Sequence, residues 1–266
     1  MPKNISMQGA MDVDVLNIET RLPEAHLEDC MTTGLNFTAE KVYSMGKGGA
    51  YIVGFAHSKR ITANIVHGYP TTEILALQSG NDVIVGANTE VIQRDILTVN
   101  SDATTTTFTA LGTANEEIGW IRVVDSNGVF TDTVLEQAAT VSAGKFTYTA
   151  GTKALTFNAS ELADSTKIAV YYKHTTDATA QTIKFDADKF AGNKKVVFNG
   201  SAIDNCSKKV YQAQFIFHNG SIGDEFEYSF EETGDPVVQN MSVEALASCG
   251  NANMVEFILY DKDLAS

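Results

Sequence analysis

Apolar residues recur at every second position along most of this chain, a spacing that fits pleated strands and not helices. In residues 12–20, DVDVLNIET, Val13, Val15 and Glu19 fall on one face and Leu16 and Ile18 on the other. The stretch GLNFTAEKVYS continues the pattern with β-branched and aromatic residues. YIVGF (51–55) and RITANIV (60–66) read as two short strands separated by AHSK. One helix is expected, over TTEILALQSG (71–80). Thr71 or Thr72 caps it, Ile74, Leu75 and Leu77 give it an apolar side, and Gly80 ends it. A helix this short needs a sheet to pack on.

At about residue 99 the texture changes to Thr-rich sequence, and strand-like pieces recur at short spacing up to about 177: IGWIRVVDS, VFTDTVL, FTYTAG, KALTFNA and KIAVYYKH. Ser126-Asn127-Gly128 and Ala150-Gly151-Thr152 supply turns between them, and FTYTAGTKALTFN reads as a hairpin. Short strands with regular turns predict a small β-sandwich or barrel. Its single tryptophan, Trp120, reads as a core anchor. From 180 longer strands return, in QTIKFDA, KKVVFNG, KKVYQAQFIFH, EFEYSFEE, VVQNMSVEALAS and MVEFILYD. The expected fold is mainly β: a sandwich or barrel core with one short helix, formed by residues 1–98 and 178–266, and a small inserted β domain over 99–177.

Composition narrows the function. Net charge is −14, with 19 basic and 33 acidic side chains, and no block of sequence forms an acidic tail. That balance disfavours a protein that grips nucleic acid by its phosphates. Cys30, Cys206 and Cys249 are an odd number at wide spacing, neither a disulfide framework nor a zinc pattern, and are expected to be reduced. The first twenty residues lack an apolar segment, so no signal peptide is expected. No apolar run approaches the roughly 18 residues that would span a membrane. Asn158-Ala-Ser160 and Asn219-Gly-Ser221 are then expected in loops.

The stretch MGKGGAYIVGF poses the sharpest choice. A phosphate-binding loop needs Gly-x4-Gly-Lys-Ser/Thr followed by a helix. Here Lys47 is followed by Gly48 and Gly49 and then by a strand, so Gly46, Gly48 and Gly49 read as a hairpin turn that uses positive φ. His26, His57, His67, His174 and His218 have neither i, i+4 partners nor a nearby cysteine at metal spacing. No Ser lies in a nucleophile elbow. Neither a catalytic centre nor a cofactor or metal site is expected. In DEFEYSFEETGDP (224–236), Glu225, Glu227 and Glu231 share one strand face and Phe226, Tyr228 and Phe230 the other, with Glu232 extending the acidic set.

The sequence LNFTAEKVYSMGKGGAYIVGFAHSKRITANIVHGYPTTEILALQSGNDVIVG resembles the N-terminal part of bacteriophage tail tube (major tail) proteins. So do, in order, TIKFDADKFAGNKKVVFNG, YQAQFIFHNGSI, EETGDPVVQNMSVEAL and MVEFILYDKD. The resemblance covers about residues 10–98 and 178–263. It implies a virion structural protein that is not an enzyme. Homo-hexameric rings would stack into a tube, assembled in the bacterial cytoplasm, through which DNA passes without specific binding. Other tail proteins, such as sheath, tape measure or terminator, would be its partners, with no membrane involved. It places Gly46, Lys47, Gly48, Gly49, Lys59 and Arg60 in a hairpin between subunits. Glu225, Glu227, Glu231 and Glu232 become an acidic surface, facing the lumen or outward, that keeps phosphates from adhering. Two other readings stay open. One is a capsid decoration or head-fibre protein. The other is a carbohydrate-binding β-sandwich whose aromatic candidates are Trp120, Tyr148, Tyr171 and Tyr172.

Overall fold

The computed structural model describes residues 4–86, 88–228, 232, 234, 237–248, 250 and 252–261. In chain order the elements begin with β1 (Ile5–Leu16), β2 (Pro23–Leu27), β3 (Cys30–Met45), β4 (Tyr51–His67) and α1 (Thr72–Ser79). Then follow β5 (Ile84–Val85), β6 (Glu90–Thr98), β7 (Ala103–Thr105), β8 (Trp120–Val124), β9 (Phe130–Gln137), β10 (Lys145–Thr149), β11 (Ala154–Thr156), β12 (Lys167–Thr175) and β13 (Gln181–Thr182). The chain ends with β14 (Asn193–Asp204), β15 (Val210–Ile222), β16 (Gln239–Ala245) and β17 (Val255–Tyr260). The fold is mainly β, as the period-two pattern dictates.

The chain divides into two compact units, Met1–Ile84 with Ile183–Ser266, and Val85–Thr182. The division falls earlier than the change of texture at residue 99. The reason is a long-range ladder: β6 pairs with β12 from Glu90↔Thr175 to Thr98↔Lys167, which places β6 in the second unit.

In the first unit the sheet runs β2-β1-β14-β15-β16-β4-β3, with β17 also on β15. The sheet curls until β3 returns to β1, giving a nearly closed barrel-like layer. At the return the Met11 N–H donates to Thr33 Oγ1 at 2.8 Å. Val13, Val15, Leu27, Ile65, Val196, Phe198, Phe217 and Val243 point inward and are buried. The Phe198 and Phe217 rings lie 5.2 Å apart. Helix α1 adds Ile74 and Leu77 to this core. Thr71 Oγ1 accepts from the Ile74 N–H, and Gly80 ends the helix at φ 68. A side chain at Gly80 would run into the Phe190 carbonyl, so both its φ and its surroundings require glycine. Two buried amides lock the helix to β16: Gln239 donates to Gln78 Oε1, Gln78 donates to the Asn240 carbonyl, and Gln239 Oε1 accepts from the Thr71 N–H.

The second unit is one seven-stranded sheet, β6-β12-β8-β9-β10-β11-β7. FTYTAGTKALTFN forms the expected hairpin, β10 with β11. Phe146, Leu155, Phe157, Ile168, Val170, Tyr148 and Tyr172 make the core. Trp120 is not part of it: its side chain is 62% exposed on β8, because phenylalanine and tyrosine fill the interior instead. Asn219–Ser221 lies within β15 and not in a loop.

Asp95 is the buried carboxylate of this unit. It accepts from the Thr107 N–H at 2.8 Å, Thr107 Oγ1 at 3.1 Å, Gln93 Nε2 at 2.9 Å and the Tyr172 hydroxyl at 2.7 Å. Burial pushes its pKa up, but the combined donors from Thr107, Gln93 and Tyr172 outweigh burial and hold it below the ordinary carboxylate value. A depressed pKa stabilises the fold above the unfolded-state value and loses that contribution as pH falls through the folded one. Asp95→Asn should therefore lower the melting temperature at pH 7, by a loss of about 2 kcal/mol. The gap from wild type should narrow below about pH 4. Calorimetry across pH checks this, and a gap independent of pH would refute the assignment.

Candidate functional site

Strands β3 and β4 form one long ladder, from Cys30↔His67 at the base to Met45↔Tyr51 at the tip. The basal part of β4 obeys the alternation of a half-buried strand. Ile61, Ala63, Ile65 and His67 are buried, and β16 pairs with β4 from Thr62 to His67. Among the described residues no strand joins β4 beyond Arg60, and every residue from 36 to 60 is exposed except the half-buried Gly46. The pair projects as a bare two-stranded arm.

Its sequence is not that of a solvated ribbon. The register puts Val42 with Phe55 and Ser44 with Val53 on one face, and Tyr43 with Gly54 and Met45 with Tyr51 on the other. With Phe37 and Ile52, eight large apolar side chains stand in solvent, from Val53 at 45% to Tyr51 at 69% exposure. A free two-stranded hairpin is marginal in water, and its open edges invite pairing with another chain. The arm holds its shape by local devices. The Tyr43 ring lies over Gly54, where a Cβ would come within 2.9 Å of it. Tyr43 and Tyr51 pack with centroids 4.7 Å apart.

The glycine stretch is the turn of this arm, not a phosphate loop. The Gly46 N–H donates to the Ala50 carbonyl at 2.8 Å, and the Gly49 N–H to the Gly46 carbonyl at 3.1 Å. Gly48 and Gly49 sit at φ 92 and 81. AHSK does not separate two strands: β4 runs through it with a bulge at Ser58, φ 51, opposite Ala39.

The six predicted arm residues fall into two groups. Gly46, Lys47, Gly48 and Gly49 form the tip, whereas Lys59 and Arg60 lie at the base, on the order of 30 Å away along the strand. Arg60 is held within its own chain, with Nε 2.7 Å from Glu244 Oε1 and Nη2 2.9 Å from Oε2. The arm is basic: residues 37–60 hold four basic side chains and one acidic, while the rest of the chain holds 15 and 32.

The three described acidic candidates, Glu225, Glu227 and Glu232, do not lie on a strand. Glu225 and Glu227 are exposed and Phe226 and Tyr228 half-buried, as the alternation predicts, but β15 ends at Ile222 and residues 223–228 are irregular. Phe226 packs against Phe185 at 5.8 Å, which gives this segment its inward side without a ladder. Glu232 is exposed, and Glu231 lies outside the described residues. Of the four candidate sugar-stacking aromatics, Trp120 and Tyr171 are exposed on neighbouring strands. Tyr148 and Tyr172 are buried, with hydroxyls that accept from the Ala110 and Phe108 N–H groups. The histidines do not converge: His26 sits between Asp14 and Glu28, His57 beside Glu40, and His67 on the Tyr69 carbonyl. No group of three or more His, Cys, Asp or Glu able to hold a metal occurs among the described residues.

Sequence reasoning missed the apolar character of both arm faces. The available signal was the run YIVGF, which breaks the alternation that a one-sided strand requires. It also missed Glu244, which no local pattern connects to Arg60.

In the purified single chain, hydrogen exchange should separate the two halves of β4. Amides of residues 51–57 should exchange at least about a hundredfold faster than those of 61–66, which belong to the packed sheet. Equal protection would show that the arm is covered by its own chain.

No curated protein matches this chain. The family model described as the YomU/Tube protein family matches residues 7–257, which takes in the arm and both units. The chain belongs to the YomU/Tube protein family, a phage-associated tube family of structural proteins.

Proposed function

We propose that this chain is the repeating subunit of a phage tail tube. Its copies close into homo-hexameric rings, and the rings stack around a channel that DNA crosses during infection without specific binding. It works in the virion tail after assembly in the host cytoplasm, without catalysis or cofactor. Tail proteins such as sheath, tape measure or terminator meet the finished tube.

The observation that carries this reading is the arm, with eight exposed apolar side chains on both of its faces. Full burial of one such side chain contributes ~1.5–3 kcal/mol, and these are half to two-thirds exposed, so covering half of them supplies about 3–8 kcal/mol per contact. That is the scale of the translational and rotational cost of association. Closing arm edges against neighbouring copies also removes the open strand edges of the single chain. The acidic excess outside the arm supports a channel that repels phosphate.

Negative-stain electron microscopy of purified protein at rising concentration tests the reading. Stacked rings with a central channel are expected. Val53→Ser with Phe55→Ser should leave monomer stability within about 0.5 kcal/mol, because both side chains are exposed, and should abolish tubes. Dispersed monomers at every concentration, or compact trimers, would reject the tube.

A further inference from the structure

The barrel-like sheet of the first unit is open between β1 and β3. Among the described residues no ladder joins these strands, and the Met11 to Thr33 hydrogen bond bridges them. From there a cleft of about 240 Å³ opens, lined chiefly by Met7, Gly9, Met11, Leu35, Phe37 and Phe215. The lining is apolar, and Met7 and Phe37 are 46% and 52% exposed at its mouth. Gly9, at φ 79, has nothing within 4 Å of where a Cβ would stand, which keeps the space free.

The closed end of this seam is acidic. Asp12 follows Met11 on β1, and Asp29 precedes β3; both are exposed. Burial first, then the charges of Asp12 and Asp29, push the Cys30 thiol up to about 11, so both carboxylates act on this end of the seam.

The arm tip has the matching chemistry. Met45, Tyr51 and Ile52 are exposed by 66–69%. Lys47 stands at the apex of the turn, on an arm whose charge is opposite to that of the rest of the chain. The tip of the same chain cannot fill its own seam. Phe37, at the seam, and Met45, at the tip, are eight residues apart on one extended strand, about 26 Å. The occupant must come from another copy.

We propose that the arm tip of a second copy seats its apolar side chains in the seam between β1 and β3, with Lys47 meeting the carboxylate of Asp12. The contact is heterologous: tip and seam are different surfaces of one chain, so it propagates from copy to copy, as a ring or a stack requires. This assignment rests on the tube reading and names the acceptor surface that reading needs.

The test uses tubes assembled from equal amounts of ¹⁵N-labelled and unlabelled wild-type chains, treated with a zero-length carbodiimide coupler and analysed by peptide mass spectrometry. A Lys47–Asp12 link carrying one label from each parent is expected. Lys47→Glu and Asp12→Lys should each lower tube yield at least about tenfold, and the two together in one chain should restore most of it. Folding of each variant is checked by the melting temperature of the monomer. Tubes that form while Lys47 couples only to other carboxylates, or whose yield ignores both reversals, would overturn the seam and leave the tube reading standing. Wild-type protein that never assembles would overturn both.

Discussion

Six residue pairs join β16 to β4, from Gln239↔His67 to Glu244↔Thr62, and the whole arm depends on them. Up to Thr62 the β3–β4 hairpin is one part of a packed sheet, with Ile61, Ala63 and Ile65 in the core. Beyond Arg60 the same two strands continue with no third among the described residues. The Arg60–Glu244 pair sits at this transition. Both partners are well exposed, so its direct contribution to stability is small; its position at the root of the arm is what matters. The buried amides Gln78 and Gln239 brace the other side of β16 through α1. The arm is therefore a weakly self-stabilised ribbon on a well-fixed root.

Much of this architecture could be read from the sequence, for identifiable reasons. Alternation located most strands because one face of each is buried. The turn at Gly48 and Gly49 and the cap and stop of α1 at Thr71 and Gly80 were legible because they are set by one or two residues. What could not be read depends on residues far apart. The bulge at Ser58 answers to Ala39 across the ladder. The assignment of β6 to the second unit is decided by β12, some seventy residues later. Trp120 looked like a core residue because tryptophan usually is one, yet four other aromatic rings, Phe146, Tyr148, Phe157 and Tyr172, occupy the interior of that unit. The segment from Glu225 to Tyr228 kept its alternation while losing its strand, since ring packing on Phe185 gives an inside and outside without a ladder.

Of the candidate site, the sequence showed the tip but not the arm. Glycines mark a turn wherever they occur. That the strands on either side leave the sheet is a statement about which strands are absent beside them, and no local pattern carries it. The charge contrast between arm and remainder was present in the sequence throughout. It gained meaning only when the structure showed the four basic residues to lie on one projecting element.

The exposure of residues 36–60 also separates two kinds of selection. A residue in the core of either unit is tested each time a single chain folds. An arm residue such as Val53 or Phe55 contributes little to that event, and in the proposed tube it is tested when copies meet. If copies assemble through the arm as proposed, variation on it costs the single chain little, provided that the surface receiving it changes in step. Arms of this kind would then diverge in matched sets, and chains with the same fold would become mutually exclusive as building blocks.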